Sequence, residues 1–167
     1  DSVQNISVTT TPKHGGSLVL DEKISLPHYA DQMDVHLMPG NYQGGHSQGA
    51  EAGVVYDNGL DVFSFGVMGE NLDDIGHSMA NFTRLKWPDL NPKLIIDVGC
   101  TIGHNTLPWK QTFPEAEVHG LDAASPCLQY GHARAEAIGI PILFKQALCD
   151  SLPYSDSSVD VVFSSMF

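Results

Sequence analysis

The chain has 167 residues, 42% of them apolar and 17% charged, a composition of an ordinary globular domain rather than a disordered tail. Eight Lys and Arg against twenty Asp and Glu leave a net charge of −12, so the phosphate backbone of a nucleic acid is an unfavourable partner. Apolar runs such as 94–96 fall far short of the roughly 20 residues that a membrane-crossing helix needs. The three cysteines, Cys100, Cys127 and Cys149, are odd in number and confined to the second half, and no charged stretch followed by an apolar one opens the sequence. Both features point to a reducing cytoplasm.

The sequence changes texture near Pro92. Before it, Gly15-Gly16, Pro39-Gly40 and Gly44-Gly45 punctuate a polar stretch without sustained helical or strand period. Residues 1–69 therefore read as a cap of loops and short helices lying on another body, and residues 70–167 as the domain proper. Over 71–85, Leu72, Ile75, Met79, Phe82 and Leu85 recur at helical spacing, and core packing is the expectation for that stripe.

From residue 94 onward, strand and helix signals alternate. Residues 94–98 form a short apolar run that Gly99 closes, as in a strand buried on both faces. A helix over 105–112 tolerates Pro108 only in its first turn. Residues 117–121 read as a second strand. Ser125-Pro126 then gives an N-cap with proline at the first helical position, for a helix to Ile138 that Gly139 stops. Residues 142–147 and 159–165 supply a third and a fourth strand. Alternation of this kind is the pattern of an α/β fold with an open, doubly wound, mainly parallel sheet.

Candidate chemistry follows each strand. Gly99 and Gly103, in the run Asp97-Val98-Gly99-Cys100-Thr101-Ile102-Gly103, let the backbone turn sharply and approach a ligand closely. Asp122 ends the second strand, where a carboxylate can accept both hydroxyls of a ribose. This much fits any nucleoside-containing cofactor. Asp97 stands two residues before the first glycine, where dinucleotide sites generally carry an apolar residue, and the loop lacks the G-x-G-x-x-G series that cradles a pyrophosphate. Both details favour S-adenosylmethionine over a nicotinamide dinucleotide. The competing readings are structural: a loop-fixing hydrogen bond for Asp97, a tight turn for Gly99 and Gly103, and a cap for Asp150.

Four segments in order carry a family resemblance over 93–167: Leu94-Ile95-Ile96-Asp97-Val98-Gly99-Cys100, Val118-His119-Gly120-Leu121-Asp122, Ala147-Leu148-Cys149-Asp150-Ser151-Leu152-Pro153-Tyr154, and Ser158-Val159-Asp160-Val161-Val162-Phe163-Ser164-Ser165. In these the chain resembles the class I S-adenosylmethionine-dependent methyltransferases, most closely the small-molecule branch typified by ubiquinone and menaquinone biosynthesis. The resemblance implies a Rossmann-like sheet, S-adenosyl-L-methionine as cofactor and a small-molecule methyl acceptor. Residues 99–103, with Gly99, Cys100, Thr101 and Gly103, would wrap the methionine portion beside Asp97. Asp122 with Ala123 would hold the ribose, Asp150 with Ser151 would read the adenine, and Ser164 and Ser165 would face the methyl group. Thr101 and Ile102 stand where the family usually carries glycine and a small polar residue. The alternative function is a methyltransferase-like protein that binds a nucleoside or regulates a partner without catalysis.

No catalytic base is assigned. His104 stands beside the loop and is able to take a proton, but a structural hydrogen bond is the preferred reading for it. His28, Asp31, Asp34 and His36 cluster without a recognised metal spacing, and no metal is expected. The cysteines read as small buried fillers, and Tyr29, Tyr42, Tyr56, Phe63 and Phe65 as packing anchors of the front segment. The sheet reads as unfinished after its fourth strand, since the family continues with further strands and helices. An apolar edge strand there allows homo-oligomerisation.

Overall fold

The computed structural model describes residues 13–21, 23–26, 28, 42 and 50–167. Among these, β1 (Ser17–Val19) and α1 (Glu51–Phe63) come first, followed by α2 (Asp74–Lys86), β2 (Leu94–Val98), α3 (Leu107–Thr112) and β3 (Glu117–Asp122). The chain continues through α4 (Ser125–Ile138), β4 (Leu143–Gln146) and β5 (Val161–Phe163). The five strands form one parallel sheet in the order β1-β4-β3-β2-β5.

Burial on both faces explains why β2 reads as a continuous apolar run. Ile95 packs with Val118, Phe144, Phe163 and Trp109, whereas Ile96, its neighbour on the opposite face, packs with Leu121 and Ala147. Helices α3 and α4 cover the first face, and α2 leans on α3. Trp109 stacks on Phe163 with ring centroids 4.4 Å apart, tying α3 to β5. Leu152, Tyr154 and Val159, from the long β4–β5 connection, pack on the second face.

Four expectations from the sequence need correction. The sheet has a fifth strand, β1, paired with β4 through Ser17↔Leu143 and Val19↔Lys145. Three residues are too few to show a period, and their partner lies at the far end of the chain. The segment is secured from α4: Glu136 accepts the backbone N–H groups of Lys13, His14 and Gly16 at 2.7, 3.1 and 3.1 Å. Second, the α2 stripe is only half core. Leu72 is buried, but Phe82 and Leu85 are 61% and 79% exposed. The buried face of α2 consists of Gly76 and Ala80, because α2 approaches the Asn105–Pro108 turn so closely that a Cβ at Gly76 would lie 2.7 Å from Asn105.

Third, Ser125 is the first helical residue of α4 rather than its cap. Ala124 takes the cap position and makes no side-chain cap bond; Pro126 stands in the first turn and Gly139 ends the helix as expected. Fourth, Cys149, Phe63 and Phe65 are exposed, while Cys100 and Cys127 are buried. Tyr42 and Tyr56 do pack, against Ile102, Ala124 and Cys127. Tyr29, Asp31, Asp34 and His36 lie outside the described residues.

Candidate cofactor site

Strand order fixes where a ligand can enter. From β2 the chain moves outward through β3 and β4, then returns with β5 to the other side of β2. The loops after β2 and β5 thus diverge, and the crevice between them, at the carboxyl ends of the strands, is the place where open α/β sheets bind ligands. A narrow cleft of about 30 Å³ lies there, lined by Tyr56, Asp97, Gly99, Cys100, Thr101, His104, Asn105, Ser165 and Met166.

The β2 loop gets its shape from Gly99 and Gly103, at φ +79° and +81°, conformations that residues with a Cβ rarely adopt. Thr101 between them stands at φ +48°, a strained position for a β-branched residue. Asp122 compensates from the end of β3: Oδ2 accepts the Thr101 N–H and Oδ1 the Ala124 N–H, both at 2.8 Å. Burial raises the Asp122 carboxyl, and the N–H groups of Ala124, Thr101 and Ala123 act against that rise. A carboxylate has about four acceptor sites, so Asp122 keeps capacity for a hydroxyl donor.

Asp97 is 2% exposed and accepts the Thr106 hydroxyl at 2.6 Å. Burial is the main cause that pushes its carboxyl up to about 7; the Thr106 bond opposes the rise and the Asp122 charge adds to it. A carboxyl at that value is poised to ionise when a cation arrives. The phenolic group of Tyr56, raised by burial and counteracted by a hydrogen bond with Thr101, closes the cleft from α1. The ring of Phe167 lies over Gly99, 2.2 Å from where a Cβ would stand.

The fold brings Asp97, Gly99, Cys100, Thr101 and Gly103 to the end of β2, and Asp122 and Ala123 to the adjacent end of β3. Gln146 at the end of β4 donates to the Ala123 carbonyl at 2.9 Å. Asp150 and Ser151 stand beyond β4 on an exposed turn, outside the cleft. Ser164 donates to the Val98 carbonyl at 2.8 Å, and Ser165 is the serine that lines the cleft. The sequence reading did not pick out Asp57, Asn105, Thr106 or Tyr130. Asp57 Oδ1 meets His104 Nε2 at 2.8 Å and Asp57 Oδ2 accepts the Tyr130 hydroxyl at 2.5 Å. Only the packing of α1 on α4 and the loop assembles that group. Its one sequence signal is a histidine directly after the loop's last glycine.

Residues 95–167 match the family model described as a methyltransferase domain. A solved structure from Methanococcus maripaludis, named for S-adenosyl-L-methionine-dependent methyltransferase, superposes with a TM-score of 0.57 at 12% identity, covering 72% of this chain and 52% of that one. Residues 95–167 are thus similar to a methyltransferase domain, carried on a sheet of Rossmann-like fold.

Among curated relatives, a malonyl-[acyl-carrier protein] O-methyltransferase of Xylella fastidiosa is 36% identical over 78 residues, which are 47% of this chain and 26% of that protein. A demethylmenaquinone methyltransferase of Thermus thermophilus is 38% identical over 71 residues, 42% of this chain and 32% of that protein. The matched stretch thus spans about a third or less of each relative's length.

Proposed function

We propose that this chain is the cofactor-binding part of an S-adenosyl-L-methionine-dependent methyltransferase acting on a small molecule. The observation that carries the reading is the convergence, at the strand-order reversal, of the Gly99–Gly103 loop and the Asp122 carboxylate. The match of residues 95–167 to a methyltransferase domain supports it. No pyrophosphate cradle is needed for a sulfonium cofactor, and this loop has none.

The residues fit such a cofactor chemically. The remaining acceptor capacity of Asp122 suits a ribose hydroxyl, with Ala123 beside it, and Asp97 offers a carboxyl whose ionisation a cationic cofactor would favour. Gly99 has no side chain where the methionine portion would approach, a place that the Phe167 ring occupies in this structure. Asp150 and Ser151 are assigned to the adenine end, and Ser164 to the methyl end by way of the Val98 carbonyl it holds. The bound cofactor supplies an electrophilic methyl on a sulfonium, so the protein's work is to align the acceptor and keep water out.

Residues 1–69 form a cap on this reading, with Tyr42 and Tyr56 laid against Ile102 beside the loop. The net charge of −12 argues for a small acceptor rather than a nucleic acid. Three unpaired thiols suit a reducing cytoplasm. Val162 on β5 is 58% exposed, an apolar side chain able to take part in self-association. Calorimetric titration with S-adenosylhomocysteine and with a nicotinamide dinucleotide tests the assignment. Saturable binding of the first alone is expected; binding of the dinucleotide alone, or of neither, overturns it.

A further inference from the structure

Asp57, His104 and Tyr130 form a buried group beside the cleft to which the cofactor reading assigns no role. His104 is 4% exposed, lines the cleft at the end of β2, and approaches Asp57 through Nε2 at 2.8 Å. Asp57 also accepts the Tyr130 hydroxyl. Burial raises the Asp57 carboxyl, but hydrogen bonds from His104 and Tyr130, together with the positive field of His104 and Arg134, hold it below its ordinary value, so Asp57 is an anion. An anion can only accept, so Nε2–H donates to it, and in the neutral ring Nδ1 is then the acceptor. Among the described residues the ring's one side-chain hydrogen-bond partner is Asp57, at Nε2, and His104 lines the cleft. Tyr56 lies against the ring, centroids 6.1 Å apart, and restricts its rotation.

From this arrangement we propose that His104 is the proton acceptor for the methyl acceptor, with Asp57 as its positioning residue. The acceptor is therefore a molecule whose nucleophilic atom still carries a proton near neutral pH: a phenol, an enol, a thiol or an enolisable carbon. A carboxylate needs no such base, because it is already ionised. The inference rests on the methyltransferase reading for its place in a reaction. The acceptor's X–H proton passes to Nδ1, and the imidazolium formed is held against Asp57 through Nε2–H. The X lone pair forms the bond to the methyl carbon as the carbon–sulfur bond breaks, and sulfur keeps that electron pair. Titratable or charged groups near the pair are Tyr56 and Asp57 on α1, Tyr130 and Arg134 on α4, and Asp97 on β2. Asn105 and Ser165, bonded to each other at 3.2 Å, are the uncharged polar groups opposite.

The test uses 4-nitrophenol, an acidic hydroxyl compound with a coloured anion, and protein labelled with ¹⁵N in its histidines. His104 signals are assigned through its own backbone, so no variant has to fold for the experiment to work. In the wild-type chain saturated with S-adenosylhomocysteine, His104 should be the Nε2–H tautomer and should become doubly protonated when nitrophenol binds. The bound probe's ratio of anion to neutral form should fall about tenfold or more in His104→Gln, the equivalent of one pKa unit. In Asp57→Asn, the preference for the Nε2–H tautomer should be lost. A His104 that stays neutral with the probe bound, an Nδ1–H tautomer in the wild type, or no uptake of nitrophenol overturns the proposal. Failure to bind S-adenosylhomocysteine overturns the methyltransferase reading instead, and the same spectra of the unliganded protein then judge the pair.

Discussion

Asp122 holds Thr101 in place across the gap between two strands: its carboxylate accepts the Thr101 N–H at 2.8 Å, and its other oxygen accepts Ala124 N–H at the same distance. One side chain therefore fixes the strained residue of the loop and the start of α4 together. Hydrogen bonds to a charged group contribute on the order of 1.5–3 kcal/mol each. Asp122→Ala should cost about 2–4 kcal/mol of stability and, on the proposed reading, weaken S-adenosylhomocysteine at least about tenfold per folded molecule. Asp122→Asn should do nearly as much harm, because its NH₂ faces one of the two N–H donors. Calorimetry beside thermal melts separates the effects, and full affinity in folded Asp122→Ala would remove Asp122 from the cofactor site.

Asp97 should make stability fall as pH rises. Its folded-state carboxyl, up to about 7, lies above the roughly 3.9 of an unfolded Asp, so the native state binds more protons across that window. The contribution is complete below about 4, declines up to about 7, and is flat above. In Asp97→Asn, which keeps an oxygen for the Thr106 hydroxyl, this slope should vanish and stability at alkaline pH should exceed wild type. Urea melts at a series of pH values show it; parallel slopes in the two proteins would refute the assignment.

Thr101 carries a Cβ at φ +48°, which costs a non-glycine residue roughly 1–2 kcal/mol. Thr101→Gly removes that strain but adds freedom to the unfolded chain and loses the hydrogen bond with Tyr56. The net change should be a gain of at most about 1 kcal/mol, read as a small rise in melting temperature. A loss above about 2 kcal/mol would show that the Tyr56 contact outweighs the strain.

Glu136 is the anchor of β1, accepting three backbone N–H groups from residues 13–16. Its carboxyl lies below the ordinary value because those N–H groups and His132 outweigh the effect of burial. For a lowered carboxyl the stabilisation is present at neutral pH and is lost as pH falls through the folded-state value. Glu136→Ala should cost about 2–3 kcal/mol. Hydrogen exchange should show loss of protection in β1 with β2 and β3 unchanged; uniform loss across the sheet would mean that β1 is part of the cooperative core.

The order of strand and helix from residue 94 onward follows from local sequence. Period and punctuation are properties of neighbouring residues: the double-sided apolar run 94–98, Pro126 in the first turn of α4 and Gly139 at its end lie where the sequence signals put them. The glycine loop and the acid ending β3 were legible for the same reason, since a turn at φ +79° requires glycine wherever the chain folds. Three features depended on contacts between distant residues and had no local signal. The exposure of Phe82 and Leu85 follows from the close approach of α2 at Gly76, and the existence of β1 from its pairing with β4 and the pull of Glu136. The Asp57–His104–Tyr130 group spans 73 residues between Asp57 and Tyr130, and becomes a unit only because α1 packs on α4 directly above the loop. Sequence set what each segment is able to form; tertiary packing decided which polar side chains meet in a dry place, where hydrogen bonding and charge control proton affinity.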